Sequence, residues 1–118
     1  MNESSIQPKK VLIVVGTRPE AIKMAPVLDA FRDLAPEIET RFALTGQHTD
    51  LVAQVLEAFD LEPDYDLDIM KPGQTLYDVV QRAMEGLRGV VQEFQPDAIL
   101  VQGDTATVFV GSLVGVFE

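Results

Sequence analysis

The run of apolar residues from Val11 to Val15 is the first strong hydrophobic pattern in the chain, and four of its five residues are β-branched. A short run without polar positions predicts a strand that is covered on both faces, as in a parallel sheet. Gly16 then permits a tight turn, Thr17 is a suitable cap, and Pro19 favours the first turn of a helix. The pattern therefore predicts a strand, a turn and a helix start, with Arg18 at the turn.

Two helical patterns and a second strand follow. Apolar residues spaced three apart predict a helix over residues 19–33. The side chains expected to face the sheet are Ile22, Ala25, Leu28 and Phe31. Pro26 lies within this pattern and is expected to kink the helix or to divide it. Residues 41–45 predict a short strand, and residues 51–59 predict a second helix.

The second half of the chain combines a long acidic connection, the longest helix and a third strand. Residues 61–74 contain prolines, a glycine and several aspartates, and we expect them to form a loop. Residues 76–94 have the clearest amphipathic pattern, and Thr75 is their expected cap. Residues 98–101 predict a third buried strand, after which a further apolar run is expected to be helical.

Strands that alternate with helices predict an α/β fold with a Rossmann-like parallel sheet flanked by helices. In such sheets ligands bind at the carboxyl ends of the strands. Three polar turns, over residues 16–20, 46–50 and 102–105, are expected to meet at this edge. At the first turn, free main-chain N–H groups, a helix N-terminus and an arginine are expected to converge, which favours an anion such as phosphate.

Charge and cysteine content narrow the classes of function. The chain has 118 residues and a formal net charge of −10, which disfavours nucleic acid and anionic membranes as partners. No apolar run is long enough to cross a membrane. The chain contains no cysteine, which is compatible with a reducing cytoplasm. Residues 1–9 are expected to form a flexible leader and residues 10–118 the first part of a domain, because the apolar residues 108–117 end without a cap or a polar tail.

Arg18 and Lys23 are the candidate anion-binding side chains. Arg18 lies at a helix N-terminus, where the helix dipole disfavours a cation, so an anion contact is favoured over a surface arginine paired with Glu20. Lys23 follows about one turn later. For Lys23, two interpretations remain open: it supports the same anion, or it is an ordinary solvated lysine on the helix.

Four further polar residues adjoin the predicted strand ends and the longest helix. Asp104 suits a general acid or base and equally an N-cap of the last helix, and the two roles are compatible. His48 is the single histidine, for which local packing is favoured over ligand contact, and no second ligand at metal spacing accompanies it. Gln47 and Gln74 are turn residues for which ligand contact remains a minor alternative. No metal site is predicted.

Four segments together carry a resemblance to a known family. They are GTRPEAIKMAPV, TGQH, PDYDLDIMKPGQTL and VQGDTATVFVG, in this order from Lys10 to the end of the chain. The chain resembles the opening of the non-hydrolysing UDP-N-acetylglucosamine 2-epimerases. The resemblance implies the first part of the N-terminal domain of an enzyme with two Rossmann-like domains. These are arranged as in the GT-B glycosyltransferases, with the UDP-sugar in the cleft.

The family implies that UDP-N-acetylglucosamine and UDP-N-acetylmannosamine are interconverted through loss of UDP and its re-addition. It also implies a cytoplasmic isomerase of polysaccharide biosynthesis, homodimeric in its full-length form, with no cofactor and no metal. Because the family's C-terminal domain is absent from this sequence, the chain alone is expected to be inactive. A non-catalytic module that binds or senses a nucleotide-sugar is the alternative interpretation.

The resemblance implies roles for individual residues. Arg18 matches the family arginine associated with the nucleotide diphosphate, and Lys23 matches the lysine of the same motif. Asp104, in QGDT, matches the aspartate implicated in catalysis. Gln47 and Gln74 match glutamines associated with a second, activating molecule of UDP-N-acetylglucosamine in bacterial members.

Overall fold

The computed structural model describes residues 7–46, 50–69, 73–101 and 114–116. Within these ranges, strands and helices alternate in the order β1 (Lys9–Val15), α1 (Arg18–Arg32), β2 (Ile38–Leu44), α2 (Asp50–Ala58), β3 (Tyr65–Asp66), α3 (Leu76–Phe94) and β4 (Ala98–Leu100). The strands form one sheet in the order β3-β2-β1-β4, and each neighbouring pair is parallel. The predicted α/β fold with a Rossmann-like sheet is confirmed.

Both faces of β1 are covered, as its unbroken apolar run predicts. Leu12 and Val14 pack with α3 on one face of the sheet. On the other face, Val11, Ile13 and Val15 pack with α1 and α2. Because side chains alternate along a strand, a strand between two helical layers needs apolar residues at every position.

The helix α1 differs from its prediction in the face that it buries. The side chains that it buries in the core are Ala21, Met24, Ala25 and Leu28. Ile22 is 47% exposed, so the prediction that it faces the sheet was wrong. A strict spacing of three drifts around a helix of about 3.6 residues per turn. Pro26 does not divide α1, which is continuous to Arg32. Pro26 has no N–H to pair with the carbonyl of Ile22. Both residues are exposed, so water can reach that carbonyl.

The strand β3 lies within the segment that the sequence predicts to be a loop. It pairs with the last two residues of β2. Just before it, the Asp64 carboxylate accepts a hydrogen bond of 2.8 Å from the N–H of Phe42. The Asp64 N–H donates to the Phe42 carbonyl, also at 2.8 Å. The three predicted strands are therefore joined by a fourth in the described residues.

The helix α3 connects β3 and β4, the two outer strands of the sheet. It begins with the predicted Thr75 cap, whose hydroxyl accepts a hydrogen bond of 3.1 Å from the N–H of Asp78. The Asp78 carboxylate accepts a bond of 3.0 Å from the N–H of Thr75 in return, which completes a capping box. After α3, the Asp97 N–H donates to the carbonyl of Lys10, near the start of β1. The N-terminus of α3 is therefore near the opposite edge, where the strands end.

Candidate functional site

The strands β1 and β2 end side by side at the carboxyl edge of the sheet. The N–H of Thr45 donates a hydrogen bond of 2.9 Å to the carbonyl of Val15. Gly46 and Gly16 are then so close that a Cβ on Gly46 would lie 1.6 Å from the Gly16 carbonyl oxygen. A glycine at position 46 permits this approach. Gly16 and Gly46, the first residues of the predicted turns after β1 and β2, therefore meet, whereas residues 47–49 and the predicted turn over residues 102–105 lie outside the described ranges.

A buried carboxylate holds the first of these turns. Glu20 is only 4% exposed. Its Oε1 accepts a hydrogen bond of 2.9 Å from the N–H of Gly16, and its Oε2 accepts one of 3.0 Å from the hydroxyl of Thr17. The sequence places Glu20 at the positive end of a helix but does not predict its burial. The Thr-x-x-Glu spacing of a capping box is the signal that points to such a contact.

Arg18 is the first residue of α1 and is exposed. Its alternative role as the ion-pair partner of Glu20 is not observed, because this carboxylate bonds to Gly16 and Thr17. Beside Arg18 lies a shallow cavity of about 270 Å³ between α1 and α2. The residues lining this cavity are Arg18, Ile22, Leu51, Gln54, Val55, Ala58 and Phe59. The guanidinium is thus at the carboxyl edge, beside the first turn, and accessible to a ligand.

Lys23 and Gln74 are described but are placed differently. Lys23 is exposed on α1. Five residues of helix separate it from Arg18, which puts it about 7.5 Å further along the axis and about 140° around it. The two basic residues therefore do not share one face of α1. Gln74 is half-buried between Gly73, with φ of 79°, and the cap of α3, near the carboxyl edge.

The predicted roles of Asp104, Gln47 and His48 concern residues outside the described ranges. The parallel register, with Leu100 opposite Ile13, directs the chain out of β4 at the same edge as Arg18. Among the described residues, no three acidic or histidine side chains are grouped as metal ligands would be. None of the helices described here has the length and apolar character needed to cross a membrane.

Comparison with known proteins identifies relatives of the same kind. A family model described as UDP-N-acetylglucosamine 2-epimerase matches residues 32–118. The UDP-N-acetylglucosamine 2-epimerase of Yersinia pestis is 52% identical over 109 residues, which are 92% of this chain and 29% of that protein. The chain thus spans about 29% of the length of the curated relatives that it matches.

Solved structures agree with the sequence matches. The chain is similar to the UDP-GlcNAc 2-epimerase of Neisseria meningitidis bound to UDP-GlcNAc, with a TM-score of 0.86 and 44% identity, covering 92% of this chain and 29% of that one. It is also similar to the Methanocaldococcus jannaschii enzyme in complex with UDP-GlcNAc and UDP, with a TM-score of 0.80 and 32% identity over 90% of this chain and 29% of that one. With the family model matching most of its length, the chain belongs to the UDP-N-acetylglucosamine 2-epimerase family.

Proposed function

We propose that the complete gene product containing this chain interconverts UDP-N-acetylglucosamine and UDP-N-acetylmannosamine, and that the turn after β1 binds the diphosphate. The observation that carries the proposal is the position of Arg18, exposed on the first residue of α1 directly beyond the carboxyl end of β1. Membership of the family and the nucleotide-sugar named for the Neisseria meningitidis structure support the choice of substrate.

The reaction breaks and re-forms two bonds of the sugar. A base removes the proton at C2, the bond between C1 and the diphosphate oxygen breaks, and UDP leaves with the electron pair, which gives 2-acetamidoglucal. UDP then adds back to C1 while an acid delivers a proton to the opposite face of C2. Negative charge grows on the diphosphate as it departs, so a cation and main-chain donors at that point lower the barrier.

The proposed roles follow this chemistry. Arg18 stabilises the charge of the departing diphosphate, since a guanidinium binds phosphate oxygens in a bidentate manner. Lys23 is the weaker candidate for the same anion, because it lies on a different face of α1 from Arg18. Asp104 acts as an acid or base in the proton transfer, and His48 is a minor candidate for ligand contact.

A second molecule of UDP-N-acetylglucosamine is proposed to bind beside the active site, with Gln47 and Gln74 as its contacts. The location of Gln74 just before α3, near the carboxyl edge, supports this assignment. We further propose that the complete gene product is a homodimer of the cytoplasm, where the absence of cysteine from this chain is compatible with reducing conditions. Analytical ultracentrifugation of the complete gene product tests the dimer.

Deuterium incorporation tests the reaction. The complete gene product is incubated with UDP-N-acetylglucosamine in deuterated water, and both epimers are examined by NMR. We expect deuterium at C2 of both, because the C2 proton is exchanged with solvent during turnover. Unlabelled sugar with retained nucleotide-sugar binding would instead support a non-catalytic binding module. Asp104→Asn is expected to abolish labelling while UDP binding persists.

The role of Arg18 is tested by calorimetry with UDP. Arg18→Ala is expected to weaken UDP binding about tenfold or more, since a charge-assisted contact is lost. Arg18→Lys is expected to recover only part of this, because an ammonium keeps the charge but not the fork geometry. Arg88→Ala, a change of an exposed arginine on α3, is the matched control. Equal affinities for Arg18→Ala and wild type would contradict the assignment.

A further inference from the structure

The buried carboxylate of Glu20 contacts two consecutive residues of the turn that precedes Arg18. It accepts hydrogen bonds from the N–H of Gly16 and from the hydroxyl of Thr17, at 2.9 and 3.0 Å. We propose that Glu20 is a positioning residue, which fixes this turn so that Arg18 meets the diphosphate. The inference rests on the proposed function, because it assigns a role within the diphosphate site.

The burial of Glu20 shows that its bonds are important for the turn. A carboxylate that is only 4% exposed is costly unless hydrogen bonds and local dipoles compensate for the lost water. The turn itself contributes to this compensation, as does the N-terminus of α1, whose dipole favours a negative charge. The same bonds that stabilise the charge therefore also fix the position of Gly16 and Thr17.

The bonds to Glu20 also decide which groups remain available to a ligand. An ionised carboxylate only accepts hydrogen bonds, so the hydroxyl of Thr17 donates its proton to Glu20. The N–H of Gly16 is likewise directed to Glu20. Two donors that a phosphate would otherwise use at such a turn are thus bound within the protein. The charged contact at this point of the turn is left to Arg18.

The turn is held from a second side by the neighbouring strand. The carbonyl of Gly16 lies against Gly46, with no room for a Cβ between them. Gly16 is therefore fixed through its N–H by Glu20 and through its carbonyl side by Gly46. Thr17, in between Gly16 and α1, has an extended backbone with φ of −127° and ψ of 168°, and its side chain makes no capping bond to the helix. The Thr17 hydroxyl is bonded to Glu20 instead of to a main-chain N–H of the helix.

Two variants of Glu20 in the complete gene product separate the effect of its two hydrogen bonds from the effect of its negative charge. Glu20→Gln keeps an acceptor for the N–H of Gly16 and can donate to the hydroxyl oxygen of Thr17, so UDP affinity by calorimetry is expected to stay within about threefold of wild type. Glu20→Ala removes both bonds and is expected to weaken UDP binding about tenfold or more. Asp97→Ala, which removes a carboxylate bond to the N–H of Lys10 at the opposite edge of the sheet, is the control for general loss of stability.

Each outcome has a clear consequence. Wild-type affinity in Glu20→Ala, measured well below its melting temperature, would overturn the inference, and so would a Glu20→Gln variant as weak as Glu20→Ala. If Glu20→Ala does not fold, Thr17→Val and Thr17→Ser replace it. The inference then requires that Thr17→Val weakens UDP binding and that Thr17→Ser, which retains the hydroxyl, does not.

A measurement without ligand separates this inference from the proposed function. The amide of Gly16 is followed by NMR hydrogen exchange in wild type, Glu20→Gln and Glu20→Ala. We expect protection in the first two and faster exchange in Glu20→Ala, since the acceptor is lost only there. A wild-type protein that does not bind UDP would refute the proposed function, whereas unchanged protection in Glu20→Ala would refute the bond to Glu20 itself.

Discussion

Replacement of Gly46 by Ala should force apart the ends of β1 and β2. A Cβ at this position would lie 1.6 Å from the carbonyl oxygen of Gly16 and 2.7 Å from its carbonyl carbon. The φ angle of Gly46 lies outside the left-handed region, so the effect comes from the clash and not from backbone strain. Because real Cβ atoms essentially never approach closer than 3.0 Å, the two turns must separate by about 1.4 Å.

The neighbouring contacts set the magnitude of this effect. The bond from the N–H of Thr45 to the carbonyl of Val15 is 2.9 Å long and lies next to the clash. A separation of this size removes it from hydrogen-bonding range, and both groups are buried. Leaving such groups unpaired costs about 1–3 kcal/mol, and overpacking costs about 1–3 kcal/mol. We therefore expect the free energy of unfolding to fall by about 2–6 kcal/mol.

Gly89→Ala is the matched control for Gly46→Ala. Nothing lies within 4 Å of a Cβ at Gly89, which is in α3, so alanine should stabilise the helix by up to about 1 kcal/mol. Urea denaturation of the complete gene product measures both variants. Gly46→Ala should also weaken UDP binding, because Gly16 is displaced from Glu20. A Gly46→Ala protein with the urea midpoint of wild type would refute the close approach of the two turns.

Three further predictions concern the cap of α3 and the strand β3. Thr75→Ala should lower the free energy of unfolding by about 1 kcal/mol in urea, whereas Thr75→Ser should retain the cap. A hydrogen bond from the main chain of Thr75, and a second one from the Thr75 side chain, lower the pKa of Asp78 below its ordinary value of 3.8. The Asp78 carboxylate should therefore contribute its share of the capping box fully above pH 3.8, and this share should be lost as pH falls through the lower folded-state pKa. Acid titration should show this loss in wild type but not in Asp78→Asn. Tyr65→Phe removes the oxygen that accepts a 2.6 Å bond from Arg41 and should cost about 1 kcal/mol of stability in urea, with Tyr77→Phe, at an 87% exposed tyrosine, as the unaffected control.

Elements whose hydrophobic pattern extends over many residues are predictable from the sequence. Elements that form only by pairing with a neighbouring strand are not. The apolar face of α3 extends over 19 residues and is preceded by a recognisable Thr75 cap. The burial of β1 follows from an unbroken run of apolar side chains. β3 has only two residues, which is too short for any period to be read. It forms because β2 offers it main-chain partners and because Asp64 can bond to Phe42. The acidic composition that predicts a loop is therefore overruled by tertiary contacts.

The same distinction applies to the site. The order of strand, turn and helix is local, so the sequence places Arg18 correctly at the carboxyl edge of the sheet. The prediction of free main-chain N–H groups was wrong for Gly16, because Glu20 folds back from α1 onto the turn and occupies that donor. A carboxylate at this point partly offsets the positive end of the helix dipole. The attraction of the turn for an anion therefore depends more on the guanidinium of Arg18, and less on the helix N-terminus, than the sequence pattern indicates. Since an exposed guanidinium is screened by salt, UDP binding should weaken as ionic strength rises.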